Sequence, residues 1–175
     1  MKKIKTYKPF PDFIVGDGFY LRIHKVEDAD ELVNMVNRNK DFDEYLDLNH
    51  YHNIQSAKKV IAQRIDFAKR GWLGDYAIQL FSGKLIGCIS FINRGDKSVG
   101  GTYYLDKQYR NMGYITKALK VAEKEIAKLD FTRIVLEINK HNENSIRVAT
   151  KNNYRLQDSE YEMKDFVKDI SNTGR

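Results

Sequence analysis

The stretch Tyr103-Tyr104-Leu105-Asp106-Lys107-Gln108-Tyr109-Arg110-Asn111-Met112-Gly113-Tyr114-Ile115-Thr116 reads as a strand end, a polar loop and the first turn of a helix. The helix it opens has the cleanest periodicity in the chain. Ile115, Ala118, Leu119, Ala122, Ile126 and Leu129 recur three and four residues apart, with Lys117, Lys120, Glu123, Lys124 and Lys128 on the other face. The first turn of any helix leaves about four backbone N–H groups without intrahelical partners. Those donors and the helix dipole suit a phosphate or pyrophosphate. Gly113 lets the backbone approach such a ligand closely, and Arg110 and Lys117 add positive charge beside it. The ordinary alternative is a plain turn. The stretch lacks the lysine and hydroxyl of a Walker loop and the several glycines of a dinucleotide fingerprint.

Upstream, Tyr76–Phe81, Lys84–Phe91 and Ser98–Leu105 read as a three-strand meander, turning at Ser82-Gly83 and at Asn93–Lys97. Before it, Asn53 can cap a helix whose stripe is Ala57, Val60, Ile61, Ile65 and Ala68, ending at Gly71. The polar, aperiodic segment Asp41–His52 reads as loop. Residues 27–38 read as a first helix, with Glu27, Asp28, Asp30 and Glu31 at its positive dipole end. Phe19–Ile23 reads as a first strand, and residues 1–18, with Pro9, Pro11 and the turn Gly16-Asp17-Gly18, as an arm. Downstream, Arg133–Ile138 is a β-branched strand and Asn142–Asn152 a short helix. Asn153 stands where a left-handed cap is needed, and two closing strands follow from Tyr154. The expectation is an α/β protein (an α+β mixed sheet) of one domain over 1–175, with roughly seven strands and four flanking helices.

The stretch YYLDKQYRNMGYITKAL resembles motif A of the GNAT acyltransferase superfamily, R/Q-x-x-G-x-G/A at a strand-to-helix junction. RIVLEINKHNENSIRVATKNNYRL resembles the segment that follows in its RimJ/RimL branch, a strand leading to N-x-x-S and a short helix ending in K-x-G-F. FPDFIVGDGFYLRIHKVEDADEL is similar to that branch's opening, so the likeness runs over about 19–155 in order. It implies the GNAT fold, with a splayed parallel pair, Ser98–Leu105 and Arg133–Ile138, around acetyl-CoA. On this resemblance the backbone of Arg110, Asn111, Met112, Gly113, Tyr114, Ile115 and Thr116 holds the pyrophosphate. Tyr104, Leu105 and Asp106 pair with the pantetheine arm, Asn142 binds the coenzyme, and Ser145 protonates the departing thiolate. The chain departs from the pattern at four places. Ile115 replaces the last glycine or alanine of motif A, Asn153-Tyr154 replaces Gly-Phe, Ala149 stands where many members carry a tyrosine acid, and Gly100 stands where RimL-like enzymes often carry a glutamate.

The implied activity is acetyl-CoA-dependent N-acetylation of a primary amine by direct attack on the thioester. An α-amine, with a pKa of about 7.7–8, is roughly a tenth neutral at pH 7, whereas a lysine at about 10.4 is almost wholly charged. Without a glutamate at position 100, a protein or peptide N-terminus is the expected acceptor. An aminoglycoside, a polyamine or a non-catalytic CoA-binding role are the alternatives. Asp41, Asp43, Glu44 and Asp47 either attract a cationic amine or form a solvated loop.

At 175 residues and net charge +6, the chain suits a polyanionic ligand, and the charge alone does not single out nucleic acid, for which no reading motif is present. No apolar run spans a bilayer and no signal-peptide core follows the basic start, and the single cysteine excludes an internal disulfide. A cytoplasmic protein, outside the membrane, is expected, with a homodimer possible. No metal is expected: His50 and His52 lack further ligands at recognisable spacing. Cys88 reads as a small core residue and His141 as a loop residue.

Overall fold

Eight strands form one mixed sheet in the computed structural model, which describes residues 7–157 and 162–171. In chain order the elements are β1 (Phe13–Val15), β2 (Phe19–Ile23), α1 (Ala29–Arg38), α2 (Ile54–Lys69), β3 (Leu73–Leu80), β4 (Leu85–Asn93), β5 (Ser98–Leu105), α3 (Tyr114–Ala127), β6 (Arg133–Asn139), α4 (Glu143–Lys151), β7 (Arg155–Gln157) and β8 (Met163–Asp169). Their spatial order is β1-β2-β3-β4-β5-β6-β8-β7. Every neighbouring pair is antiparallel except β5–β6.

The mixed sheet and four helices agree with the sequence, with one strand more. Phe13–Val15, read as part of an arm, pairs back onto Tyr20–Arg22 across the Gly16–Gly18 turn. The prolines precede this strand rather than interrupt it, and the apolar triplet Phe-Ile-Val is long enough to form three pairs. The segment Asp41–His52 is likewise more ordered than a loop. Short 3₁₀ turns at Lys40–Glu44 and Asn49–Tyr51 are anchored by buried Phe42, Leu48 and Tyr51.

Local chemistry sets the helix ends. The Asn53 side chain accepts from the N–H groups of Gln55 (2.8 Å) and Ser56 (3.2 Å), a cap worth about 1 kcal/mol. Asn153 adopts φ 63° after α4, and the Tyr154 N–H closes onto the Ala149 carbonyl at 3.0 Å, which is the left-handed cap the sequence called for.

The sheet divides two cores. Ile115, Ala118, Leu119, Ala122 and Ile126 of α3 pack with Val99, Leu105, Ile134, Leu136 and Ile138 on one face. Leu32, Met35 and Val36 of α1 and Ile61 of α2 pack with Ala77, Cys88 and Tyr104 on the other. Strand alternation therefore turns Val99, Tyr103 and Leu105 of β5 toward α3, and Gly100, Thr102 and Tyr104 toward the α1–α2 face.

That second face holds a buried charge. Asp75 is 2% exposed; its carboxylate accepts from Arg64 Nη1 at 3.0 Å and from the Ser90 hydroxyl. Burial alone raises its pKa, but the charges of His24 and Arg64 and the two hydrogen bonds outweigh burial and leave it below the ordinary carboxylate value. A depressed folded-state pKa gives stability that is complete above the unfolded value of about 3.9 and is lost as pH falls through the folded one. Asp75→Asn is therefore expected to lower stability at pH 7 by on the order of 3 kcal/mol, because Arg64 loses its partner. Urea unfolding at pH 7 and pH 3 checks this: the gap from wild type should shrink at the lower pH, and a constant gap counts against it.

Candidate active site

The parallel pairing of β5 and β6 runs from Ser98–Arg133 only to Gly101–Leu136. Both strands continue beyond that point. β5 stays bonded to β4 as far as Leu105, and β6 to β8 as far as Asn139. From Thr102 and Glu137 onward a cleft opens between them, edged by backbone groups without a strand partner. Tyr104 and Leu105 lie on its β5 edge, where the sequence analysis placed the coenzyme arm.

At the end of β5 the chain turns through a short 3₁₀ segment, Lys107–Tyr109, into α3. Asn111 (φ 62°) and Gly113 (φ 82°) both adopt left-handed backbone, and Gly113 is the N-cap of α3 with no side chain to satisfy the first turn. The first helical bond it closes is Lys117 N–H to its own carbonyl, 3.0 Å. The N–H groups of Asn111, Met112, Gly113, Tyr114, Ile115 and Thr116 thus cluster at one helix end without backbone acceptors among the described residues. A Cβ on Gly113 would meet nothing within 4 Å, so the space in front of this donor cluster is open. The Ile115 side chain is buried in the α3 core and leaves that space clear.

The charged side chains expected beside the donors are otherwise engaged. Arg110 Nε donates to the Leu105 carbonyl at 2.9 Å, its Nη1 pairs with Asp41, and its guanidinium lies 5.2 Å from the Phe42 ring centre. Lys117 pairs with Asp17 at 2.6 Å. Asp106 is 2% exposed and accepts from Arg38 Nε (3.0 Å), Asn39 Nδ2 (3.1 Å) and Gln108 Nε2 (3.1 Å). Burial would raise its pKa, yet these donors hold it below the usual carboxylate range. Asn39 completes the clamp by accepting from the Lys107 N–H at 2.9 Å. Asp106 and Arg110 therefore shape the loop and fasten it to the C-terminal end of α1. Arg38 and Asn39 were not singled out from the sequence, since only the fold brings that helix end to β5.

Across the cleft, Asn142 caps α4. Its Oδ1 accepts from the Ser145 N–H at 3.1 Å, leaving its amide nitrogen as a donor. The Ser145 hydroxyl has no hydrogen-bond partner among the described residues and is half-buried. Tyr103 reaches over from β5, its hydroxyl donating to the Ser145 carbonyl at 3.3 Å. Burial pushes the Tyr103 pKa up to about 12, so it stays protonated and bridges the two sides of the cleft. Ala149 is fully buried and carries no acid.

On the α1–α2 side, Asp43, Tyr45, Leu46, Asp47 and Asn49 line a shallow recess of about 340 Å³. Of the four loop carboxylates, Asp41 is held by Arg110, which keeps its pKa low, and Asp47 accepts from the Asn49 N–H and side chain at 3.3 and 2.8 Å. His50 sits 3.3 Å from Arg64 and His52 3.0 Å from Asn37, and no group of three potential metal ligands gathers among the described residues. Cys88 is buried, and His141 is exposed beside Glu162.

A splayed parallel pair, an uncapped helix end and an N-x-x-S helix cap converge on one cleft. The family profile of the acetyltransferase (GNAT) domain matches residues 19–155. The chain belongs to the GNAT acetyltransferase family.

Solved structures agree on the fold of this GNAT enzyme. RimL, a ribosomal L7/L12 alpha-N-protein acetyltransferase in complex with coenzyme A, superposes with a TM-score of 0.83 at 22% identity, covering 90% of this chain and 98% of that one. The ribosomal-protein-S5-alanine acetyltransferase of Vibrio fischeri gives 0.81 at 17% identity, covering 93% and 99%. The microcin C7 self-immunity acetyltransferase MccE, in complex with acetyl-CoA and AMP, gives 0.79 at 20%, covering 87% and 93%. A comparison with curated protein sequences found no match.

The cleft suits acetyl-CoA, the acyl donor of GNAT enzymes. Backbone donors at Asn111–Thr116 match a pyrophosphate, the free edge of β5 matches an amide-bearing arm, and the Asn142 amide and Ser145 hydroxyl are unspent on the β6 side of the cleft. In this GNAT enzyme Gly113→Ala adds no clash but forces an L-residue into left-handed backbone, at about 1–2 kcal/mol. The acetyl-CoA Kd is expected to rise about tenfold, as that strain moves the donors. Titration calorimetry beside urea unfolding tests this; lost stability with unchanged affinity would separate the loop from the coenzyme.

Proposed function

We propose that the protein transfers the acetyl group of acetyl-CoA to an α-amine at a protein or peptide N-terminus. The observation that carries this reading is the cleft opening after Gly101–Leu136, with the backbone donors of Asn111–Thr116 on its β5 side and Ser145 on its β6 side. The relatives of known structure include enzymes described as an alpha-N-protein acetyltransferase of ribosomal L7/L12 and as modifying the N-terminal serine of that protein, which favours the same acceptor class.

Acetyl-CoA brings an activated acyl group, so the chain's task is chiefly to hold two reactants in line. The loop N–H groups bind the pyrophosphate, and Arg110 and Asp106 keep that loop rigid. The Thr102–Leu105 edge aligns the arm. The Asn142 amide orients it, and the Ser145 hydroxyl donates a proton to the leaving sulfur. An α-amine presents enough neutral form at pH 7 to attack without prior loss of a proton, whereas a lysine-like amine is almost wholly charged there.

Thiol release from acetyl-CoA tests the reading on N-terminal peptides, lysine peptides, polyamines and aminoglycosides. Release is expected with free α-amines and much less with internal lysines. Ser145→Ala should lower kcat by about a hundredfold while acetyl-CoA affinity holds. Equal preference for internal lysines, or release only with the small amines, would refute the acceptor class. Unchanged kcat in the variant would remove the serine's role.

A further inference from the structure

Resting on the N-acetyltransferase reading above, we propose that Glu137 of β6 supplies the carboxylate that meets the acceptor amine, filling from the neighbouring strand the place vacated at Gly100.

The sheet register puts it there. Asp75, Ser90 and Thr102 are successive partners across β3, β4 and β5, while Glu137 and Asp165 are partners across β6 and β8. Pairing between β5 and β6 stops at Gly101–Leu136, so Thr102 and Glu137 are the first residues on either side of the cleft. Leu136 and Ile138, which flank Glu137, point into the core beneath α3 and α4. Glu137 therefore faces the other way, on the same side as Gly100, Thr102 and the recess of the α1–α2 segment. An amine arriving on that face with the thioester in the cleft meets Thr102 on one hand and Glu137 on the other.

Gly100 explains the conformation of the carboxylate. A Cβ at this position would lie 3.1 Å from Ile92 Cγ2 and 3.9 Å from Arg94 Cδ. The Arg94 side chain thus passes beside the bare backbone of Gly100, and its Nη2 reaches Glu137 Oε1 at 3.1 Å. The guanidinium tethers the carboxylate next to the volume that a side chain at position 100 would occupy. With its side chain 53% exposed, Glu137 remains open to a ligand.

In the reaction the amine nitrogen forms a bond to the thioester carbonyl carbon and the carbon–sulfur bond breaks. The nitrogen becomes acidic as its new bond forms, and one of its protons passes to the Glu137 carboxylate. The departing thiolate takes the Ser145 hydroxyl proton, and exchange through water returns the proton from Glu137 to Ser145. The products are the amide and free thiol, with no net proton gained or lost. A carboxylate suits this order of events, in which the nitrogen attacks first and loses its proton second.

The rival view is an exposed cross-strand ion pair with no part in the chemistry, since such pairs commonly contribute little. Glu137→Gln, Glu137→Asp and Arg94→Gln distinguish the two. Each is assayed at saturating acetyl-CoA with an N-terminal peptide, with rates expressed against the concentration of neutral amine. Glu137→Gln is expected to reduce kcat/KM by about a hundredfold with the acetyl-CoA Kd unchanged. Arg94→Gln, which removes the tether and keeps the carboxylate, should stay within about tenfold of wild type. Activity of Glu137→Gln close to wild type, or an equal fall in Arg94→Gln, overturns the proposal. Should Glu137→Gln not fold, Glu137→Asp keeps the charge while withdrawing it by one methylene. Reduced kcat there with intact acetyl-CoA binding supports the proposal, and full activity overturns it. Wild-type protein that binds acetyl-CoA yet turns over no amine overturns the N-acetyltransferase reading itself.

Discussion

Two neighbouring strands that cannot both keep all their partners shape this molecule. β5 is bonded to β4 along its whole length and β6 to β8 along its own, and the parallel contact between them holds for only four residue pairs. Past Gly101 and Leu136 each strand follows its other neighbour. Buried backbone N–H and C=O groups need partners, and those along the divergent edges have none from a strand. An extended ligand with amide groups of its own can provide them, which is what the arm of a coenzyme-A thioester offers. Tyr103 and the α4 cap bridge the cleft on one face, and the α1–α2 segment borders the other. The opening is thereby a passage between the α3–α4 face and the α1–α2 face of the sheet.

The polar clamp at the end of β5 gives this passage fixed walls. Asp106, Asn39, Arg38 and Arg110 join the loop before α3 to the segment that carries Phe42 and the loop carboxylates. Phe42 in turn packs against Tyr104 with the ring planes tilted, 5.1 Å between ring centres. Each buried polar atom of the clamp is answered by another, the condition under which such a network rigidifies rather than destabilises. One set of contacts thus fixes the spacing between the loop before α3 and the α1–α2 segment. Rate gains from orientation depend on that spacing, because an ångström of misplacement is costly.

The elements that the sequence revealed are those whose signals are local. The α3 stripe from Ile115 to Ile126, the Asn53 and Asn153 caps and the meander turns each depend on residues a few positions apart. The short strand Phe13–Val15 was hidden because three residues are too few to show an alternation and two prolines precede them. Phe42, Leu48 and Tyr51 were hidden because an anchor in a 3₁₀ segment follows no period. The order β6-β8-β7 was also out of reach, since the last strand inserts beside β6 rather than beside its immediate predecessor.

By itself the sequence determined the fold family, through the R-x-x-G junction and the N-x-x-S cap, and the location of the free backbone donors at the start of α3. Both are properties of contiguous residues: a glycine at a helix start frees N–H groups wherever that helix is placed. The employment of the side chains was decided by tertiary structure alone. Arg110 turns from the phosphate side to Asp41 and Leu105, Asp106 becomes a buried anchor for α1, and Glu137 comes beside Gly100 through Arg94. Those outcomes depend on which chain segments meet across the sheet. A charged side chain several bonds long takes its direction from the nearest partner in space, and sequence spacing does not encode that partner.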